Sequence, residues 1–404
     1  MTPLPTSTAR PLRRDSRRGL AQAQFANSVG DGAYLVVSAF YFAKVVGLPP
    51  AQIGLGLTVG WAAGMLAGVP LGHLADRRGP RGVAVALAVA TAAAVAAFAL
   101  VRSFEAFLLV ACLYGIAQTG LSAARQALLA ALVPPAGRTA ARAVLQSTLN
   151  GGLAVGAGLG GVALWLDTPA GYTALFALDA AGFLVAAALL LRLPAVRPAP
   201  APATGSRLGV LRDRPYALVT LINAVLLFYM PLLSVVVPLW IAGRTSAPSW
   251  AVATLLLINT GGVLLFQVRV ARRVRDLREA CSSVRVAGLV MLAACAVFAL
   301  APYGWPFLLL GAALLVGGEM LLAAGSWEIG FGLAPDDRQG QYQGFFGTGT
   351  AVARMLGPAV LTALVLDGGT AGWLVIGAMF ATAGAAMAPA VRWASARSGS
   401  AEAT

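Results

Sequence analysis

Apolar residues fall in twelve long blocks, at roughly 25–46, 53–74, 83–101, 107–132, 143–166, 172–193, 217–241, 251–270, 286–301, 307–333, 342–366 and 373–391. Short connections rich in Arg, Gly and Pro separate them. A helix that crosses a bilayer needs about 20 predominantly apolar residues, and a backbone in lipid must satisfy its own hydrogen bonds. Each block therefore predicts a spanning helix. The stretch 194–215, PAVRPAPAPATGSRLGVLRDRP, is rich in Pro and Ala and predicts a semi-extended linker. It divides the blocks into two sets of six. The pattern predicts an all-α polytopic membrane protein with 12 transmembrane helices: a tail over 1–24, a six-helix bundle over 25–193, the linker over 194–215, a second six-helix bundle over 216–391 and a tail over 392–404.

Composition supports a lipid environment. Of 404 residues 59% are hydrophobic and only 11% charged, whereas a soluble chain carries about 25% charged residues. The net charge of +14 would suit a nucleic-acid partner, but its distribution argues otherwise. Of the 29 Lys and Arg, 24 fall in the two tails and the even-numbered connections and 3 in the odd-numbered ones. That asymmetry predicts cytoplasmic termini and insertion in the cell (plasma) membrane. The Arg-rich start predicts a retained tail rather than a cleaved signal, because the first block carries Asp31 and Lys44 and no A-x-A-like site follows it.

The inventory of reactive residues removes other classes. The single lysine, Lys44, is followed by two valines, so no GxxxxGK[ST] phosphate loop exists. His73 is the only histidine, and Cys112, Cys281 and Cys295 lack metal or haem spacing. Neither a metal, a cofactor nor an enzymatic constellation is expected.

The halves also look related. Displacing the sequence by 201 residues lays Pro134 on Pro335 and Gly156 on Gly357, and Asn27 and Asn223 follow a similar offset. Duplicated units are expected of transporters that rock about a midplane site.

Two motifs carry a resemblance to a known family. Between the second and third blocks stands Gly72-His73-Leu74-Ala75-Asp76-Arg77-Arg78-Gly79-Pro80-Arg81, which resembles the GxLaDrxGrr loop of the major facilitator superfamily. In the fifth block, Gly152, Gly156, Gly160 and Gly161 resemble the GxxxGPxxGG antiporter motif of its drug exporters, with Ala157 replacing Pro. A third family motif, an Arg with a following QG in the fourth block, is absent, so its proton-linked Arg has no counterpart here. The resemblance implies two six-helix bundles and alternating access. It also implies that Asp76 meets the start of the eleventh block near 340–344 as a cytoplasmic latch, with Gly72 and Gly79 allowing close approach and a turn. Arg77 and Arg81 would face cytoplasm and anionic lipid. The fifth-block glycines admit a second account, close helix packing in lipid.

Ionisable residues inside a span are costly and so mark function or a structural partner. Six stand out: Asp31, Arg125, Asp179, Glu319, Glu328 and Arg354. At 1.5 Å per residue, Asp31 and Arg125 lie roughly 9 and 10 Å from the cytoplasmic boundary, where they can pair or Arg125 can snorkel. Glu319 and Arg354 both reach mid-membrane and are expected to face one another. Asp179 reads as a structural polar contact, and Glu328 as an interface residue or a cavity acid. Tyr34, Gln118, Asn223, Tyr229 and Trp327 are candidates to line a substrate cavity. The expected activity is proton-coupled export of a small organic molecule by a monomer, with substrate, protons and lipid as partners. Two alternatives stand beside it: a proton-linked nutrient importer, and a non-transporting sensor or scaffold.

Overall fold

The computed structural model describes residues 9–196, 198, 208–245, 247 and 250–401. The first eight residues of the predicted N-terminal tail, most of the centre of the linker and the last three residues lie outside that set. Among the described residues helix is the only regular secondary structure. It divides into two compact units, one formed by residues 1–202 with Asp336–Gln341, the other by 203–335 with 342–404.

The first unit contains α1 (Ala9–Phe40), α2 (Pro50–Arg78), α3 (Pro80–Phe98), α4 (Phe104–Leu132), α5 (Pro135–Leu166) and α6 (Pro169–Leu191). Helix α1 packs on α5 and α6, α2 packs on α4, and α3 packs on both α4 and α6. Starts are set by local chemistry. Pro80, Pro135 and Pro169 open their helices, where a missing N–H costs nothing. Ser103 and Thr168 cap α4 and α6 through side-chain oxygens that accept from Ala106 and Gly171.

The second unit contains α7 (Arg214–Leu226), α8 (Tyr229–Pro231), α9 (Val237–Arg244), α10 (Trp250–Ala271), α11 (Leu277–Ala299), α12 (Pro306–Gly332), α13 (Gln339–Thr362), whose first residues up to Gln341 belong to the first unit, and α14 (Gly368–Ala401). Helix α11 packs on α12 and α14, α10 on α12, and α7 on α14.

Among the described residues ten segments are long and apolar enough to cross a membrane, which makes the chain a multi-pass membrane protein. Helix α1 is not among the ten because its polar positions dilute its hydropathy. The last candidate, Asp336–Ala396, is 61 residues long and is interrupted at Gly369, whose φ of +57° is non-helical. Several helices outrun the apolar blocks. Helix α1 begins at Ala9, and its residues Leu20 and Ala23 are buried, so the end of the predicted tail is packed helix. Helix α11 starts at Leu277 rather than 286, because Asp276 accepts from the Glu279 N–H and Glu279 accepts from the Arg275 N–H, a reciprocal cap that starts the helix before its apolar part. The seventh predicted span is broken after Leu226 and contains a π-helical turn over 232–236. Pro231 and Pro238 lack the N–H that a continuous α-helix needs there.

Outside the spans, Lys44 reaches Asp167 with Nζ–Oδ2 at 3.0 Å, and the Tyr172 hydroxyl donates to the same carboxylate. These contacts, Tyr172 first, hold the Asp167 carboxyl below the usual carboxylate range. The connection after α1 is thereby tied to the one between α5 and α6.

Candidate functional site

Three helices of the first unit each carry polar side chains on one stripe. On α1 these are Asn27, Asp31 and Tyr34, on α4 Tyr114, Gln118 and Arg125, and on α5 Arg142, Gln146 and Asn150. Spacings of three, four and seven put such residues on one helix face. Asp31 is half-buried and held by two amides: Asn27 Nδ2 donates to Oδ2 at 2.9 Å and Gln118 Nε2 to Oδ1 at 3.2 Å. Arg125 Nη2 donates to Asn27 Oδ1 at 2.8 Å, so Asn27 links the arginine to the acid. Gln118 Nε2 also reaches the Tyr114 hydroxyl at 3.1 Å. The glycines beside Asp31 serve packing: a Cβ on Gly30 would meet the Asp179 backbone, and one on Gly32 would meet the Leu153 carbonyl.

The other candidates of this unit sit deeper. Tyr34 is buried in an aromatic cluster, with ring centroids 5.5 Å from Tyr114 and 5.8 Å from both Phe98 and Phe176. Asp179 is fully buried on α6, and neither carboxylate oxygen has a hydrogen-bond partner among the described residues.

In the second unit, Asn259 Nδ2 donates to Glu319 Oε2 at 2.6 Å, and the Tyr229 hydroxyl is hydrogen-bonded to the same carboxylate. Arg354, exposed on α13, lies within electrostatic reach of Tyr229. Asn223 is buried and accepts from Ser326 Oγ at 2.7 Å. Trp327 and Glu328 are half-buried on α12.

The loop motif is built around Asp76, which is 8% exposed. Its Oδ1 accepts from the Gly340 N–H at 2.7 Å and its Oδ2 from the Gln341 N–H at 2.9 Å, at the start of α13, where orphan amides favour a carboxylate. Gly72 and Gly340 touch through their backbones, so a Cβ on either would strike the other's carbonyl. Gly79 turns the chain at φ +93°. Arg81 Nη1 donates to the Leu193 carbonyl at 2.8 Å, near the end of α6, while Arg77 is exposed. Beside the motif a cavity of about 410 Å³ is lined by Asp76, Ala130, Arg138, Val196, Asp336 and Gln339 among others, and Arg138 pairs with Asp336 at 3.3 Å. Asp76→Asn keeps the shape but loses the charge and one acceptor. It should lower thermal stability by the few tenths to about 2 kcal/mol of a helix-dipole contact, and cysteine labelling of half-buried positions such as Gln118 should shift toward cytoplasmic access. An unchanged labelling ratio would remove the gating role.

In the fifth-block motif, Gly152, Gly156 and Gly160 face α1, where a Cβ would meet Ser28, Val29 and Val36 respectively. Gly161 is exposed, with nothing within 4 Å of a Cβ.

Sequence reading missed Arg142, which it assigned to a basic connection, and with it Gln146 and Asn150. Helix α5 starts at Pro135, which brings Arg142 inside it. The i, i+4, i+8 spacing of three polar residues running into an apolar block was the available signal.

The Major Facilitator Superfamily sequence profile matches residues 20–358. The chain belongs to that superfamily. Its fold is shared with the human organic anion transporter MFSD10 (TETRAN), at 20% identity and TM-score 0.72 over 92% of this chain and 98% of that one. A bacterial homologue of the iron transporter ferroportin, in an outward-facing state, is similar at 17% identity and TM-score 0.77, covering 94% and 99%. The E. coli fucose:proton symporter FucP follows at 13% identity and TM-score 0.71, covering 94% and 98%. A comparison with curated protein sequences gave no match. Membership makes the chain a small-molecule transporter of the membrane and not an enzyme.

Proposed function

We propose that the protein is a secondary active transporter that exports a small organic compound by alternating access, driven by the proton gradient across the plasma membrane. The observation that carries this reading is Asp31, a half-buried acid held by Asn27 and Gln118 and linked through Asn27 to Arg125. A carboxylate whose hydration and hydrogen-bond partners change with conformation binds a proton in one state and releases it in the other. Glu319, hydrogen-bonded to Asn259 and Tyr229, is the polar centre of the second unit, and it and Glu328 are next in line for the role. Asp76 and the start of α13 act as the latch of the resting state, and the fifth-block glycines as an antiporter-type seam. The protein works as a monomer.

Twelve spans require α1 to cross and 336–396 to cross twice, with both termini cytoplasmic. Lys44 tests this directly, because it is the only lysine and lies at the end of the first block, beyond α1, where the first odd-numbered connection begins. A membrane-impermeant amine reagent applied to intact cells should label Lys44, and Lys44→Arg should abolish that labelling. Labelling of Lys44, located by peptide mass spectrometry, only after permeabilisation would invert the topology.

Transport is tested with a substrate panel in inverted membrane vesicles under an imposed pH gradient. Accumulation that collapses with a protonophore supports the reading. Accumulation indifferent to the gradient argues for a uniporter, and substrate movement in the opposite sense for an importer.

A further inference from the structure

Asp179 on α6 is an acid to which the coupling role of Asp31 gives no part. It is 0% exposed, and neither carboxylate oxygen has a hydrogen-bond partner. The sequence suggests a structural polar contact there, but a structural acid repays its burial through hydrogen bonds, and this one makes none. A carboxylate taken out of water with no donor facing it is too costly to keep its charge, so it holds a proton instead.

The packing of α6 on α1 brings this acid close to Asp31. A Cβ on Gly30 would stand 2.4 Å from both the Asp179 Cα and its Oδ1, and one on Gly182 would stand 2.6 Å from the Ala26 carbonyl oxygen. Further along the same seam the rings of Tyr34 and Phe176 lie 5.8 Å apart. Gly30 immediately precedes Asp31, and successive Cα atoms are about 3.8 Å apart, which puts Asp179 Oδ1 at most about 8 Å from the Asp31 Cα. A rotamer change or one water molecule spans such a gap.

The titratable groups that face Asp179 are Asp31 and Tyr34 of α1 and Tyr114 of α4. The two phenols are poor proton acceptors at neutral pH, which leaves Asp31 as the base within reach. The cations of the surrounding elements stand elsewhere. Arg18 of α1, Arg142 of α5 and Arg192 after α6 lie about 16–20 Å along their helices from this level. Arg81 of α3 bonds to the Leu193 carbonyl, Arg125 of α4 to Asn27, and Lys44 to Asp167, while Tyr41 donates to the Ala99 carbonyl.

We propose that Asp179 is a second proton site of the first unit, holding a proton in this conformation and exchanging it with water through Asp31 when α1 and α6 part. In that exchange the O–H bond of the Asp179 carboxyl breaks and one forms on the Asp31 carboxylate. The negative charge passes from Asp31 to Asp179, and Asp31, half-buried rather than sealed, then gives the proton to water. The close approach of α1 at Gly30 is what shuts the inner acid off. This inference rests on the proton-driven reading above and adds a residue and a route to it.

The test is infrared spectroscopy of the purified full-length protein in lipid, moved from H2O to D2O, and it needs no substrate. The wild type should show the carbonyl stretch of a protonated carboxylic acid that is missing from Asp179→Asn, with Asp179→Leu assigning the band should Asp179→Asn misfold. Asp31→Asn should keep the band and slow its deuteration about a hundredfold, the lower end of what a positioned acid–base group contributes to proton transfer. Asp31→Glu should restore much of the rate, and Asp276→Asn, at the start of α11 in the second unit, should leave it unchanged. Size-exclusion profiles and melting temperatures establish that each variant is folded. A wild-type spectrum without the Asp179 band would overturn the proposal, as would deuteration at the wild-type rate in Asp31→Asn, the behaviour of an acid that is only structural. The vesicle assay keeps the two readings apart. Gradient-driven accumulation together with deuteration that ignores Asp31 removes the second site and leaves the transporter standing, whereas Asp31-gated deuteration without accumulation of any panel compound supports the site and removes proton-driven export.

Discussion

Asp31→Asn is expected to reduce pH-gradient-driven substrate accumulation to background while leaving substrate binding and downhill counterflow near wild-type levels. Asparagine is nearly isosteric with aspartate and still offers an oxygen to Asn27 Nδ2 or Gln118 Nε2, so the seam keeps its shape. What it loses is the ability to take up and release a proton. The measurement is a paired one in proteoliposomes: accumulation under an imposed pH gradient, and exchange of labelled for unlabelled substrate without one. A coupling residue separates the two readouts, whereas a residue that only supports packing lowers both together. A variant that still concentrates substrate at the wild-type rate would move the coupling site to Glu319 or Glu328. Asn27→Ala serves as a positioning control. It removes the bridge between Arg125 and Asp31 and should shift the pH dependence of transport without abolishing coupling.

The sequence was most informative where one residue type does one job over a long range. Apolar blocks of spanning length required helices, and the Gly-Asp-Gly skeleton of the loop motif marked Asp76 as a carboxylate with a special environment. Helix starts were less visible, because caps and opening prolines lie outside the apolar blocks that define a span. Arg142 was misassigned for that reason: hydropathy placed the start of the fifth span at 143, while Pro135 starts the helix eight residues earlier. Pairings between helices were the least legible. Depth arithmetic brought Asp31 and Arg125 to one level, but only three-dimensional packing puts Asn27 between them. The same arithmetic brought Glu319 to the level of Arg354, and could not foresee that Asn259 and Tyr229 would both engage its carboxylate. Aromatic candidates failed to separate on sequence for a related reason, since Tyr34 in a ring cluster and Tyr229 beside an acid have the same composition signal.

The fifth-block glycines give the largest expected effect on stability, and they also divide the motif. Gly156→Ala should destabilise the protein severely, because a Cβ there would overlap the Val29 carbonyl oxygen and stand 2.8 Å from the Ala33 nitrogen. Both are backbone atoms of α1, so no rotamer change relieves the contact and the helices must move apart. Overpacking of a core typically costs about 1–3 kcal/mol, and a clash with backbone belongs at the top of that range or above it. Gly161→Ala is the matched control. Nothing lies within 4 Å of its Cβ, and replacing a mid-helix glycine by alanine gains about 0.5–1 kcal/mol of helix propensity. Fluorescence-detected size exclusion after heating should therefore show a large drop in apparent melting temperature for Gly156→Ala and none for Gly161→Ala. Close packing of α1 on α5 accounts for Gly152, Gly156 and Gly160, so a transport defect in those variants carries no information about mechanism. Gly161 is different, because packing gives no reason for a glycine there. A Gly161→Ala protein that is as stable as the wild type but transports slowly would assign the antiporter-like role to that one position, as a site where α5 must bend or admit another surface. Unchanged stability and unchanged transport would reduce the whole motif to a helix-packing seam.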